Sequence, residues 1–218
     1  MAGILAKKLE GCVRVRINWP IPLNEELVIQ TGIQDSKLLH GETLIAQASS
    51  ADQSRLQALL RPSMPPYVSF NEALEASKAY PGFESHPFPE CFVCGPNREV
   101  GDGLRIFPGP HSSETFVCAP FKTYPSLFSS DKNMAVEYQW SALDCSGAYG
   151  IMNAFGPDKY VLGTIIGEIK APIHMDEMIV AMGWAIDKAG RKARSGTALI
   201  NHHGQLKSWA LSTWIAIK

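Results

Sequence analysis

The chain has 218 residues, 45% of them hydrophobic and 19% charged, with a formal net charge of −1. That length suffices for one large or two small domains with a real core. The near-neutral balance excludes the basic field of a nucleic-acid binder and the acidic tract of a disordered tail, and points to small ligands or protein partners. No apolar run reaches the roughly 18–20 residues of a membrane span, and the opening MAGILAKKLEG turns charged too soon for a secretory signal. Five scattered cysteines, Cys12, Cys91, Cys94, Cys118 and Cys145, form no framework. A reducing, cytoplasmic setting with no membrane contact is therefore expected.

In chain order, MAGILAKKLEG reads as the last turns of a helix whose start is missing. GCVRVRINWPIPLNEELVIQ (11–30) reads as a strand, a Pro-containing bend and a second strand, because Pro cannot donate to a ladder in a strand interior. SKLLHGETLIAQA follows as a hairpin turning at His40-Gly41. Residues 51–90 carry two short helical runs, DQSRLQALL and SFNEALEASKAY, among many prolines, and read as a linker packed on the surface. GLRIFPGPHSSETFVCAPF reads as a hairpin added at a sheet edge. AVEYQW is the next expected strand, followed by LDCSGAYGIMNAF, about three turns of apolar helix ending near Gly156-Pro157. Four strands rich in β-branched and aromatic residues close the chain: YVLGTIIGEI, EMIVAMGWAID, SGTALIN and QLKSWALSTWIAI, the last two joined by a turn at His203-Gly204.

A shift of 152 residues aligns positions 11–30 with 163–182, and six of these twenty positions are identical: Gly11/Gly163, Ile17/Ile169, Pro20/Pro172, Ile21/Ile173, Glu25/Glu177 and Val28/Val180. The proline break falls at the same place in both copies. The expected organisation is an incomplete unit over 1–50, a linker over 51–90 and a complete unit over 91–218. Each unit is α+β, an antiparallel sheet wrapped around one apolar helix. The missing strand of the first unit leaves an open edge, which favours a homodimer.

The segment CFVCGPNREVGDGLRIFPGP, followed by ETFVCAPF and ALDCSGAYG, resembles the start of hotdog-fold acyl-CoA thioesterases of the phenylacetate-pathway type. In that family a Cys-Phe-x-Cys-Gly opening and a Gly-Leu strand lead to a His-Gly-Gly turn, and Leu-x-Asp follows at the helix start. With the repeat, the resemblance implies two tandem hotdog units and an acyl-CoA or other acyl-thioester partner. It places the family's catalytic carboxylate, nine residues after the His, on Asp144 within Ala142-Leu143-Asp144. The His-Gly-Gly positions are Ala135, Val136 and Glu137 here, which look strand-like. Only the second copy carries an acid at its helix start, so one functional site per chain is expected.

Thioester hydrolysis needs donors for a developing oxyanion and a base or nucleophile. A helix N-terminus supplies free N–H groups, and Asp144 would activate water or attack the carbonyl, with no metal or organic cofactor required. Glu137, Trp140, Ser146 and Gly147 are the expected substrate-binding residues, Gly147 because it allows close approach. The competing reading of Asp144 is structural, since Ser141-Ala142-Leu143-Asp144 has capping-box spacing. If turnover went with the His-Gly-Gly turn, the chain would be a non-catalytic acyl-thioester binder. A hydratase reading lacks a helix-start Asp with a His a few residues later.

Cys91-Phe92-Val93-Cys94 is half of many zinc sites, but His86 and Cys118 do not complete it, and it reads as a knuckle-like turn with buried thiols and no metal. Cys145 reads as a small buried hydrophobe, and His174, His202 and His203 as turn or bulge residues. The basic tip Lys188–Arg194 reads as solvated rather than as a coenzyme phosphate clamp. Gly-x-Ser-x-Gly and Walker-type loops are missing from the sequence, which leaves serine-hydrolase and nucleotide-hydrolase readings without a motif.

Overall fold

The computed structural model describes residues 1–113, 115–175 and 177–217. Among them, one antiparallel sheet of ten strands organises the chain. The first unit supplies β1 (Cys12–Ile17), β2 (Val28–Thr31), β3 (Asp35–His40) and β4 (Thr43–Ser50), after a short α1 (Ala2–Ala6). Two helices, α2 (Gln53–Leu60) and α3 (Phe70–Lys78), occupy the linker. The second unit contributes β5 (Gly109–Pro110), β6 (Val117–Phe121), α4 (Val136–Ala142), α5 (Cys145–Phe155), β7 (Lys159–Ile169), β8 (Ile179–Ala189), β9 (Lys192–Asn201) and β10 (Leu206–Ile217). The hairpin turns fall at Gly41 and Gly204, whose φ of 56° and 77° are left-handed values that glycine adopts without a Cβ penalty.

The strand order β2-β3-β4-β1-β7-β10-β9-β8-β6-β5 is a mirror about its middle, because β2-β3-β4-β1 of one unit is answered by β8-β9-β10-β7 of the other. The join is the pairing of β1 with β7, in which Arg14 lies opposite Ile166. These two residues are also equivalent under the 152-residue repeat, so a pseudo-two-fold axis passes between them. The two units meet as two copies meet in an isologous dimer. This is the tandem double-hotdog arrangement of the α+β class.

Both faces of the sheet are covered, which is why its strands read as near-continuous apolar runs rather than clean alternation. Successive side chains still point to opposite faces. Val180, Met182, Ala198 and Leu211 join the core under α2 and α3, whereas Ala181, Leu199 and Ala210 join the core under α1 and α4. Helix α2 is capped by Asp52, whose carboxylate accepts from the Ser54 and Arg55 N–H groups, and α3 by a full Ser69/Glu72 capping box.

AVEYQW is not a strand. Residues 136–142 form α4, with Ala135 preceding its first turn, so the segment standing at the family's His-Gly-Gly position is helical rather than strand-like. The apparent alternation of Val136, Tyr138 and Trp140 is coincidental: Val136 is 39% exposed, while Gln139 and Trp140 are both buried. Tertiary contacts decide the conformation. Gly167 leaves room for the Trp140 ring, which a Cβ there would meet at 2.9 Å, and Gln139 Nε2 donates to the Ala171 carbonyl at 3.0 Å. Helix α4 packs on α1, and together they cover the inner face of the first unit in place of a full-length helix.

Helix α5 lies with its backbone directly against the backbone of β8. A Cβ on Gly150 would sit 2.7 Å from the Trp184 nitrogen, and one on Gly183 would overlap the Ser146 carbonyl. Gly183→Ala therefore cannot be absorbed by a flexible side chain. It is expected to cost about 3 kcal/mol, the upper end of the usual overpacking penalty, read as a lowered urea midpoint. An unchanged midpoint would contradict this packing.

Candidate active site at the start of helix α5

Between α4 and α5 the chain turns at Leu143 and Asp144. The turn is held from the sheet. Thr197 Oγ1 on β9 donates to the Leu143 carbonyl at 2.9 Å, in a buried hydrogen bond. At the third residue of the helix, Gly147 lets α5 settle on the same strand, for a Cβ there would lie 3.1 Å from Thr197 Cγ2 and closer still to the Ser195 hydroxyl.

Asp144 is the residue preceding the first turn of α5, but its side chain makes no capping hydrogen bond. The capping box is not formed, because the Ser141 hydroxyl donates instead to the Glu137 carbonyl at 2.7 Å, inside α4. The Asp144 carboxyl is thus left facing a cavity of about 210 Å³. Loss of hydration on burial, reinforced by the nearby Cys91 sulfur, pushes its pKa up to about 7.

The cavity is polar at one end and apolar elsewhere. Asp144 and Cys145 stand at the helix start, with His86, Cys91 and Cys94 from the loop ahead of β5. Ala148 and Tyr149 continue the helix side, while Tyr160 and Leu162 of β7 and Trp214 of β10 form the opposite wall. The first N–H groups of α5, at Cys145 and Ser146, have no intrahelical acceptor, as at any helix start, and carry the positive end of the helix dipole. Deeper in, the Tyr80 and Tyr149 hydroxyls share a 2.8 Å hydrogen bond. Tyr80 spends its proton on the Cys94 carbonyl at 3.0 Å, so Tyr149 is the donor between the two.

Of the residues expected at the site, Asp144 alone lines this cavity. Glu137 lies on α4, paired with Lys7 at 3.4 Å, and borders a different cleft with Asp131 and Lys170. Trp140 is a core residue, 3% exposed. Ser146 and Gly147 are buried against β8 and β9, and Gly147 provides for the close approach of the sheet rather than of a ligand. The reason is helical geometry, since only one face of α5 can look into the cavity while the small residues are consumed by the sheet contact.

Two features were hidden in the sequence. Cys145 comes to the Cys91-x-x-Cys94 turn from 54 residues away, and the three sulfurs lie within 4.8 Å of one another, so the pair gains a third sulfur. His86 Nε2 adjoins the group, 3.3 Å from Cys94 Sγ. The adjacency of Cys145 to Asp144 was the available signal, but nothing in the spacing joined it to the distant pair. The basic tip is largely engaged within the fold: Lys188 pairs with Asp158 at 2.8 Å, Arg194 pairs with Asp187, and Arg191 Nε donates to the Ala216 carbonyl at 3.1 Å.

No family model matches the chain, and no curated protein matches it. Among solved structures, the tesB protein of Mycobacterium avium subsp. paratuberculosis is similar over 96% of this chain and 79% of its own, with a TM-score of 0.59 at 12% identity. A thioesterase superfamily protein overlaps 58% of this chain and 60% of its own (TM-score 0.49, 16% identity). The PaaI protein of E. coli, from the phenylacetic acid degradation operon, overlaps 46% of this chain and 76% of its own (TM-score 0.42, 11% identity). The near-complete overlap with the tesB protein agrees with the mirrored strand order and the pseudo-two-fold join: the chain has the tandem double-hotdog fold.

Proposed function

We propose that the chain is an acyl-CoA thioesterase, or a hydrolase of another acyl thioester, acting at the start of α5. One observation carries the reading: a carboxylate released from capping duty stands at the N-terminus of an 11-residue helix, at the polar end of an otherwise apolar cavity. The double-hotdog fold shared with the tesB protein supports it.

In this reading the acyl chain lies along Tyr160, Leu162 and Trp214, and the thioester carbonyl oxygen points at the N–H groups of Cys145 and Ser146. Those donors stabilise the developing oxyanion. Asp144 takes a proton from water as the water oxygen adds to the carbonyl carbon. The C–S bond then breaks and the proton leaves with the thiolate, giving a carboxylic acid and a free thiol. Direct attack by the carboxylate, followed by hydrolysis of the anhydride, uses the same geometry. Thr197 is a positioning residue, since it holds the Leu143 carbonyl and through it the helix start.

The proposal includes a homodimer and a cytoplasmic setting. Strand β2 is the edge of the sheet, and all four of its residues are exposed, Val28 and Ile29 among them. Pairing of β2 with its copy would extend the sheet. The five cysteines are free, which supports a reducing compartment, and no helix among the described residues is long and apolar enough to cross a membrane.

Across a panel of acyl-CoAs from short aliphatic to aromatic, hydrolysis is expected in the wild type, and Asp144→Asn should lower kcat by at least about 100-fold while remaining folded. Equal rates in both proteins would remove Asp144 from the chemistry. Binding without turnover in the wild type would leave an acyl-thioester binding protein. Thr197→Val keeps the shape but orphans a buried carbonyl, so it should cost about 1–3 kcal/mol of stability and lower kcat more than it raises KM. A change in KM alone would deny it the positioning role. Light scattering during size exclusion should read twice the 23.9 kDa chain mass, and a monomer would overturn the dimer.

A further inference from the structure

We propose that Cys91, Cys94 and Cys145 form a binding site for one thiophilic divalent cation of the zinc class. This inference is independent of the hydrolase reading. The three sulfurs lie within 4.8 Å of one another, and the Cys91 and Cys145 sulfurs are 3.6 Å apart. A tetrahedral zinc with Zn–S bonds of about 2.3 Å holds its sulfurs about 3.8 Å apart, so the ligands stand nearly in place. A disulfide needs about 2.05 Å.

The surroundings aim N–H donors at the sulfurs. The backbone N–H groups of Val93 and Cys94 face the Cys91 sulfur. The turn that aims them is tight: Gly95 N–H donates to the Cys91 carbonyl at 2.8 Å, and a Cβ on Gly95 would strike the backbone of Pro89 and Cys91. His86 adds a third N–H. Its Nδ1 accepts from the Phe88 N–H at 2.9 Å, which puts the ring proton on Nε2, 3.3 Å from the Cys94 sulfur. Three N–H donors thus converge on two of the three sulfurs at the wall of a largely apolar cavity. Three sulfurs at near-tetrahedral spacing, with N–H donors around them, are a donor set that a thiophilic divalent cation fits.

The tautomer of His86 makes it a donor to a ligand sulfur rather than a ligand, the outer-shell part that orients many metal sites. The fourth position therefore goes to a light atom from the cavity side, a water oxygen, since the Asp144 carboxylate is not among the clustered ligand atoms. The cluster ties the loop carrying Cys91 and Cys94 to the first residue of α5. Its role is structural, since it fixes the wall of the cavity beside Asp144.

The test uses the full chain, purified without chelator and then loaded with zinc or with cobalt(II). One metal per chain is expected, with a thiolate-to-cobalt charge-transfer band. Cys91→Ser, Cys94→Ser and Cys145→Ser should each lower metal content and the band at least tenfold, whereas Cys118→Ser, at a buried cysteine outside the cluster, should keep both. A wild type that takes up neither metal overturns the proposal, and so does full retention in any of the three cluster variants. Should those variants fail to fold by circular dichroism, X-ray absorption of the wild-type zinc protein decides. Three sulfur scatterers and one light atom support the site, and any other sulfur count overturns it. None of these readouts uses turnover, so an inactive protein that binds zinc separates this inference from the proposed hydrolysis.

Discussion

The contact on which the rest of the molecule depends is the backbone-to-backbone seat of α5 on β8. Gly150 and Gly183 leave no side chain between the helix and this strand, and Gly147 lets the helix settle on the Ser195 and Thr197 side chains of β9. Such proximity gives up two side chains' worth of packing, and in return fixes the height and tilt of the helix. Fixing the helix fixes its first turn, and the Thr197 hydroxyl bonded to the Leu143 carbonyl pins that turn a second time. Asp144 and Cys145 therefore reach the cavity from a rigid element rather than a loop, which is what a constellation of reacting groups requires.

The same sheet explains why the two units differ. Antiparallel pairing of β1 with β7 puts equivalent residues opposite one another at Arg14 and Ile166, so the chain contains its own two-fold dimer seam. The seam needs two sheets, but it does not need two full helices. In the first unit the five-residue α1 and the borrowed α4 cover the inner face, with Trp140 and Leu5 in its core. The helix start that faces a cavity, at Asp144, belongs to α5 of the second unit.

Much of this was legible in the sequence. The proline-broken repeat foretold two tandem antiparallel units, the Gly turns foretold two hairpins, and the apolar run from Leu143 to Phe155 foretold α5. What failed did so where tertiary contacts overrule local pattern. Val136, Tyr138 and Trp140 alternate like a strand, yet the segment is helical because Trp140 has Gly167 to pack on and Gln139 has the Ala171 carbonyl to reach. Gly147 looked like a substrate contact because it is small and sits at a helix start, but its smallness serves the sheet. The sulfur cluster was beyond spacing rules altogether, since its third member is brought in by the fold and not by a second Cys-x-x-Cys.

In the proposed mechanism the thioester lies at the start of α5, with its carbonyl on the helix N–H groups and Asp144 alongside. A crystal structure with a non-hydrolysable thioether analogue of an acyl-CoA, bearing its carbonyl one atom from the sulfur, tests this most directly. That oxygen is expected about 3 Å from the Cys145 or Ser146 nitrogen, with the acyl chain against Leu162 and Trp214 and the Asp144 carboxylate within one water of the carbonyl carbon. An analogue seated instead in the cleft under α2, among Arg14, Arg55 and Leu59, would contradict it.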